Sequence, residues 1–223
     1  MSSPSTQGSD LEFVVRTIAR TAVDNEQQFG DLDAVAGDGD FGYSLARGFE
    51  IVLADWDTFD RATPSDFLKR VAMVISKRVG GTSGPLWGTA FLRAAAAVKD
   101  QPDWAALNGR DAVAMLRAAA EGIKARGRSD IGDKTLLDAL IPMTDAVEQR
   151  LGEGGDGGAA EAADVARVAA TSARAAADAT TPMQAMRGRQ SYTGERSIGS
   201  PDPGAVAVAV MAERIADTWD ARD

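Results

Sequence analysis

Apolar residues recur along most of this chain at spacings of three and four, the rhythm of a helix with one buried face. Alternating β-branched runs are scarce and alanine is abundant, so the pattern predicts an all-α fold of eight helices. The first is expected over about 10–28, with Leu11, Val14, Val15, Ile18 and Ala22 on one face. A second runs through Leu45, Phe49, Val52 and Leu53. The third opens at Thr63-Pro64-Ser65-Asp66, where threonine caps, proline occupies the first turn and the acid complements the helix dipole. The fourth covers about 84–99. A fifth opens at Asn108-Gly109-Arg110-Asp111 and reaches about 125, a sixth covers about 134–150, and an alanine-rich seventh covers about 159–179. The last opens at Asp202-Pro203, and its segment from Ala205 to Met211 is apolar on every side, as in a helix enclosed by neighbours; its alternating valines also fit a strand.

The segments between these helices divide by composition. Residues 1–9 are expected to be a disordered start to a single domain over 10–223, and the glycine-rich stretch 151–158 a mobile surface link. Four other glycine-marked loops are polar, and each leads into a helix. The chain has no histidine and no cysteine, so proton transfer must fall to carboxylates, lysine or a partner, and thiolate sites and disulfides are excluded. The formal charge of -9 argues against nucleic acid or an anionic membrane as partner. No run is long enough to span a bilayer and no signal peptide opens the chain, so a cytoplasmic protein is expected.

Chemistry concentrates in Leu32-Asp33-Ala34-Val35-Ala36-Gly37-Asp38-Gly39-Asp40-Phe41-Gly42. Glycines let Asp33, Asp38 and Asp40 converge, and three converging carboxylates repel unless a cation neutralises them. An all-oxygen donor set favours magnesium, calcium or manganese over zinc. An EF-hand does not fit, because its twelfth position counted from Asp38 is Phe49. Magnesium completes its shell with water and substrate phosphates, so a phosphate cradle is sought, and Val79-Gly80-Gly81-Thr82-Ser83-Gly84 before a helix supplies one. Taken singly, an Asp-Gly-Asp is more often a solvated turn, and the glycine-hydroxyl loop is as readily a helix cap as a nucleotide site.

The remaining polar segments are Gly132-Asp133-Lys134-Thr135, an acid and a base at a helix start, and the long stretch Gly188-Arg189-Gln190-Ser191-Tyr192 running on to Asp202-Pro203-Gly204-Ala205. Long ordered loops in compact domains are commonly lids or binding loops. In this order, and with Gly81-Thr82-Ser83-Gly84-Pro85-Leu86-Trp87-Gly88-Thr89 between, the four segments resemble the DhaL family, the nucleotide-binding subunit of dihydroxyacetone kinase, over about residues 11–220.

The resemblance implies an eight-helix antiparallel barrel with ADP or ATP at one end and two Mg2+ ions on Asp33, Asp38 and Asp40. It also implies that Gly81, Thr82 and Ser83 meet phosphates, that Leu86 and Gly132 line an adenine pocket, that Arg189 faces the phosphates as a catalytic group, and that Ser44, Asp202 and Gly204 lie near the nucleotide. The family carries histidine after the third aspartate and asparagine three residues on, where this chain has Phe41 and Ser44. The implied activity is phosphoryl transfer to a small ketone held by a separate DhaK-type subunit, with a DhaM-type phosphotransferase protein as a further partner if the nucleotide stays bound as ADP. A regulatory nucleotide-binding module contacting a transcription regulator is the competing reading, motivated by Phe41 and Ser44.

Overall fold

The computed structural model describes residues 9–153 and 159–221. Nine α-helices and no strand occur among them: α1 (Asp10–Asp24), α2 (Glu26–Ala34), α3 (Phe41–Ala54), α4 (Pro64–Arg78), α5 (Ser83–Ala97), α6 (Gly109–Gly127), α7 (Leu137–Gly152), α8 (Ala159–Ala179) and α9 (Pro203–Thr218). The expected disordered start falls outside the described residues except for Ser9, whose hydroxyl caps α1 in a capping box with Glu12. Most of the expected glycine-rich link, 154–158, also falls outside them.

Eight of the helices close a ring. Helix α1 packs on α3, and each helix from α3 onward packs on the next until α9 returns to α1. Helix α2 is the ninth, a short piece laid against α3 and α9. Inside the ring, Leu45, Phe49 and Val52 of α3 meet Phe67, Leu68, Val71 and Ile75 of α4, with Phe29 from α2 also fully enclosed. Helix α9 is buried at Ala205–Ala209, Met211 and Ala212, touching α1, α2, α7 and α8, so its all-round apolar sequence is that of an enclosed helix and the strand alternative fails.

Edge-on aromatic packing holds the end of the ring where α3 passes to α4. Trp56 and Phe67 meet at 5.3 Å between ring centres, and Phe67 lies 5.6 Å from Trp104. Arg61 runs across this cluster, pairing with Glu12 of α1 at 2.6 Å and donating to the carbonyls of Trp56 and Phe59.

The expected helix starts at Thr63, Asn108 and Asp202 are all used: each side chain accepts a backbone N–H of the following turn. Two expectations need correction. The first helix is not continuous, because Asn25 leaves helical angles (φ -109, ψ 20) and its side-chain amide donates to the Thr21 carbonyl, competing with the backbone ladder. Beyond that break α2 extends to Ala34 and carries Asp33 in its last turn. The sixth helix begins at Leu137 rather than near 134, because Lys134 has a left-handed backbone (φ 59) that no helix continues.

Gly42 marks the closest approach of α3 to α2. A methyl there would stand 2.5 Å from the backbone nitrogen of Gly30 and nearer still to the carbonyl oxygen of Glu26. Gly42→Ala is therefore expected to lower unfolding free energy by about 1–3 kcal/mol. Gly152→Ala, at a site with nothing within 4 Å, should change it by less than about 0.5 kcal/mol. Urea unfolding of both variants checks the pair.

Candidate functional site

Asp33, Asp38 and Asp40 meet at one point, each offering a carboxylate oxygen within 4.8 Å of the others. Asp33 is 8% exposed and comes from the negative end of α2, where the helix dipole adds to the repulsion. Its position depends on Gly37, since a methyl there would lie 2.8 Å from the Asp33 Cγ. The backbone N–H of Phe41 donates to the same carboxylate at 3.4 Å. Asp40 stands at the N-cap of α3 but makes no capping hydrogen bond, so its oxygens stay free for the cluster. Burial, and then the neighbouring Asp33 charge, push the Asp40 carboxyl above its ordinary range. The Arg189 guanidinium lies against Asp38 and 3.4 Å from Asp40. An all-oxygen set of this density, with no imidazole or thiolate, suits a hard divalent cation such as Mg2+.

The cluster forms one wall of a cleft of about 480 Å3. The Gly80-Gly81-Thr82-Ser83 turn between α4 and α5 also lines it, made possible by the left-handed Gly81 (φ 61) and by Gly84, packed directly on the Val79 carbonyl. Thr82 occupies the N-cap of α5 without using its side chain there. The starts of α3, α5, α7 and α9 all contribute residues to the cleft, so four helix N-termini present their positive ends to the same space. Arg126, Arg187 and Arg189 add cationic side chains in a chain that is acidic as a whole. Carboxylates together with amides, hydroxyls and guanidinium groups around one cleft can hold a metal-bound polyphosphate.

Apolar groups shape the rest. Leu86, Trp87 and Leu136 line the cleft, and Leu86 lies close against Gly127 at the end of α6. At the back, Asp202 caps α9, accepting from Ala205 N at 2.8 Å, while its own N–H donates to the Thr180 hydroxyl. Beside it, Asp138 accepts the N–H groups of Gly132 and Thr135 at 2.5 and 2.7 Å, which shapes the turn into α7.

Of the residues expected at the site, Asp33, Asp38, Asp40, Gly81, Thr82, Ser83, Leu86, Arg189, Asp202 and Gly204 come together around this one cleft. Two stand outside its lining. Ser44 sits behind the glycine turn, where a methyl on Gly80 would lie 3.0 Å from its hydroxyl, and Gly132 faces solvent in a left-handed turn (φ 92). Sequence reasoning passed over Trp87, Leu136, Arg126, Arg187 and Gln190, which line the cleft, and assigned no role to Lys134. Trp87 was legible in principle, being next to Leu86 in the same motif; the arginines carry no spacing signal.

A family model described as the DAK2 domain matches residues 35–217. The chain belongs to the DAK2 domain family. Among relatives of this DAK2 domain, the ADP-binding subunit DhaL of the PEP-dependent dihydroxyacetone kinase of Escherichia coli is 38% identical over 185 residues, covering 83% of this chain and 84% of that one. The corresponding subunit of kinase 1 of Listeria innocua is 34% identical, covering 87% and 88%. A crystal structure of the dihydroxyacetone kinase from C. freundii in complex with AMP-PNP and Mg2+ superimposes with a TM-score of 0.72 at 21% identity, over 98% of this chain and 36% of that one. That likeness shows a shared helical fold.

Burial raises the Asp202 carboxyl in this DAK2 domain from 3.8 to about 7; the Ala205 N–H pulls it down, Asp138 pushes it up and Lys134 pulls it down. Between these two values the folded chain retains a proton that the unfolded chain has lost, so this group's contribution to stability falls as pH rises through that window and stays low above it. Asp202→Asn keeps a capping side chain without the charge. Relative to wild type, the variant is expected to gain stability progressively between about pH 4.5 and about pH 7.5 in urea unfolding. A constant difference across that range would refute the assignment.

Proposed function

We propose that this chain is the nucleotide-binding subunit of a dihydroxyacetone-type kinase, holding ADP or ATP with Mg2+ in the cleft and passing a phosphoryl group to a small ketone bound by a separate DhaK-type subunit. The observation that carries the reading is the meeting of Asp33, Asp38 and Asp40 within 4.8 Å in the same cleft as a glycine-hydroxyl turn at the start of α5. The names of the E. coli and L. innocua relatives, ADP-binding subunits of dihydroxyacetone kinases, support the nucleotide and the reaction. Their description as PEP-dependent favours a nucleotide that stays bound and is rephosphorylated by a DhaM-type protein over one that exchanges as ATP.

Bound Mg2+ would neutralise phosphoryl oxygens as charge shifts during transfer. The three carboxylates hold the metal, and two ions match their formal charge together with that of a nucleotide better than one. Gly81, Thr82 and Ser83 offer backbone and hydroxyl donors to the phosphates, and Arg189 places its guanidinium at the edge of the carboxylate cluster, facing the end of the phosphate chain. Leu86, Leu136 and Trp87 supply an apolar seat for the base, with Asp202 and Gly204 at the start of α9 near the nucleoside; Ser44 and Gly132 act from behind this lining. No side chain here is a histidine that could hold the ketone covalently, which is why a second subunit is part of the proposal. A chain without cysteine fits a reducing cytoplasm.

Mg2+ and ADP together should stabilise the protein, by about 2.7 kcal/mol when ADP is at a hundredfold its dissociation constant, and neither alone should match that. Asp38→Asn and Asp40→Asn are expected to remove this stabilisation while leaving the unliganded melting transition in place. Unchanged ADP affinity in both variants would defeat the metal assignment. Mixing the chain with a DhaK-type subunit, dihydroxyacetone and either Mg-ATP or a PEP-driven donor should yield the phosphorylated ketone. Nucleotide binding without product from either donor would favour the regulatory reading.

A further inference from the structure

Lys134 is among the most deeply enclosed side chains of the molecule, 1% exposed, and belongs to neither the carboxylate cluster nor the phosphate turn. Its ammonium donates to the carbonyls of Met183 at 2.9 Å, Ser200 at 2.7 Å and Ser197. An ammonium has three protons, and all three are committed to backbone carbonyls, so this group has none left for a phosphate. The three acceptors lie on both limbs of the segment between α8 and α9: Met183 and Ser200 flank the 3-10 stretch Arg189–Ser197 that carries Arg189, and Ser197 ends it. Most of that segment faces solvent, with Tyr192 90% exposed, and so buries little apolar surface of its own. The site tolerates an unfavourable backbone to hold the lysine, since a left-handed φ of 59 in a non-glycine residue is strained.

Further ties converge on the same limbs. The Ser197 hydroxyl accepts from Ala185 N and donates to the Gly194 carbonyl, and the Gly199 N–H reaches the Thr181 carbonyl at 2.9 Å. Met186 N donates to the carbonyl of Asp133, the residue before Lys134, at 3.0 Å. The turn leading into α7 and the two limbs of the long segment thus form one hydrogen-bonded unit with the ammonium at its centre.

We propose that Lys134 is a positioning residue, a cationic staple that fixes the 183–200 segment and thereby sets Arg189 over the nucleotide cleft without touching the nucleotide itself. For its consequence in binding, this rests on the nucleotide reading above. Removing the ammonium frees three carbonyls and both limbs, so Arg189 loses its fixed place while the metal cluster, built from α2, α3 and the loop between them, keeps its own.

Lys134→Met and Lys134→Gln test this, the second retaining part of the donor capacity. Expected in Lys134→Met are wild-type helix content, trypsin cleavage after Arg187, Arg189 or Arg196 faster by about tenfold or more, and an ADP dissociation constant in Mg2+ raised by about tenfold or more. Lys134→Gln should fall between this variant and wild type. Mn2+ binding without nucleotide should not weaken by more than about twofold in either, since a released Arg189 only unmasks Asp38 and Asp40; general loosening of the fold would not produce this separation. Cleavage and ADP affinity both within about twofold of wild type in Lys134→Met would overturn the proposal, as would joint loss of Mn2+ and ADP binding or failure of both variants to fold. If the wild-type chain binds no Mg-ADP, the nucleotide reading fails, while the cleavage comparison, which needs no nucleotide, still decides whether Lys134 fixes the segment.

Discussion

The meeting of three carboxylates within 4.8 Å is the constraint around which this end of the molecule is arranged. Left alone, such a cluster opposes folding, because like charges at that distance repel strongly wherever burial lowers the local dielectric. The chain offsets part of this locally. The Phe41 N–H donates to Asp33, the start of α3 offers its positive end to Asp40, and Arg189 lies across Asp38 and Asp40. On the function proposed above, the charge left uncompensated would draw a hard cation, and through it an anionic ligand to a molecule whose net charge of -9 would otherwise repel one.

The ring topology explains why several helix starts meet at the cleft. Neighbours in a closed antiparallel ring alternate direction, so alternate helices begin at the same end. Here α3, α5, α7 and α9 begin at the cleft, and their positive ends add to the charge of Arg126, Arg187 and Arg189 there. The same arrangement explains the glycines at the helix starts. Gly42 and Gly84 allow backbones to touch, α3 on α2 and the start of α5 on the end of α4.

Legibility from sequence followed the range of the forces involved. Helix starts at Thr63, Asn108 and Asp202 could be read because a cap is settled within four residues, and the enclosed helix α9 because burial on all sides leaves a continuous apolar run. The break at Asn25 could not, since the preceding residues keep a helical rhythm and one side-chain amide decides the matter. The acidic triad was legible as a motif, though not the fact that Asp33 belongs to a helix while Asp38 and Asp40 belong to the loop and cap that follow. Lys134 was hidden most completely: its three acceptors are carbonyls about fifty to sixty-six residues further along the chain, and carbonyls leave no mark in a sequence.

Phe41 shows how a departure from the family pattern is absorbed. Its ring lies 6.0 Å from that of Phe29 in α2, and its backbone N–H serves Asp33, so position 41 joins the first turn of α3 to the helix that carries the first carboxylate. A phenyl ring cannot ionise, which leaves the charge balance beside the three carboxylates to Arg189. Arg189 is half-exposed and reaches the cluster from the long segment between α8 and α9. In this chain the electrostatics of the cluster therefore depend on how firmly that segment is held, and hence on the hydrogen bonds that Lys134 donates to it.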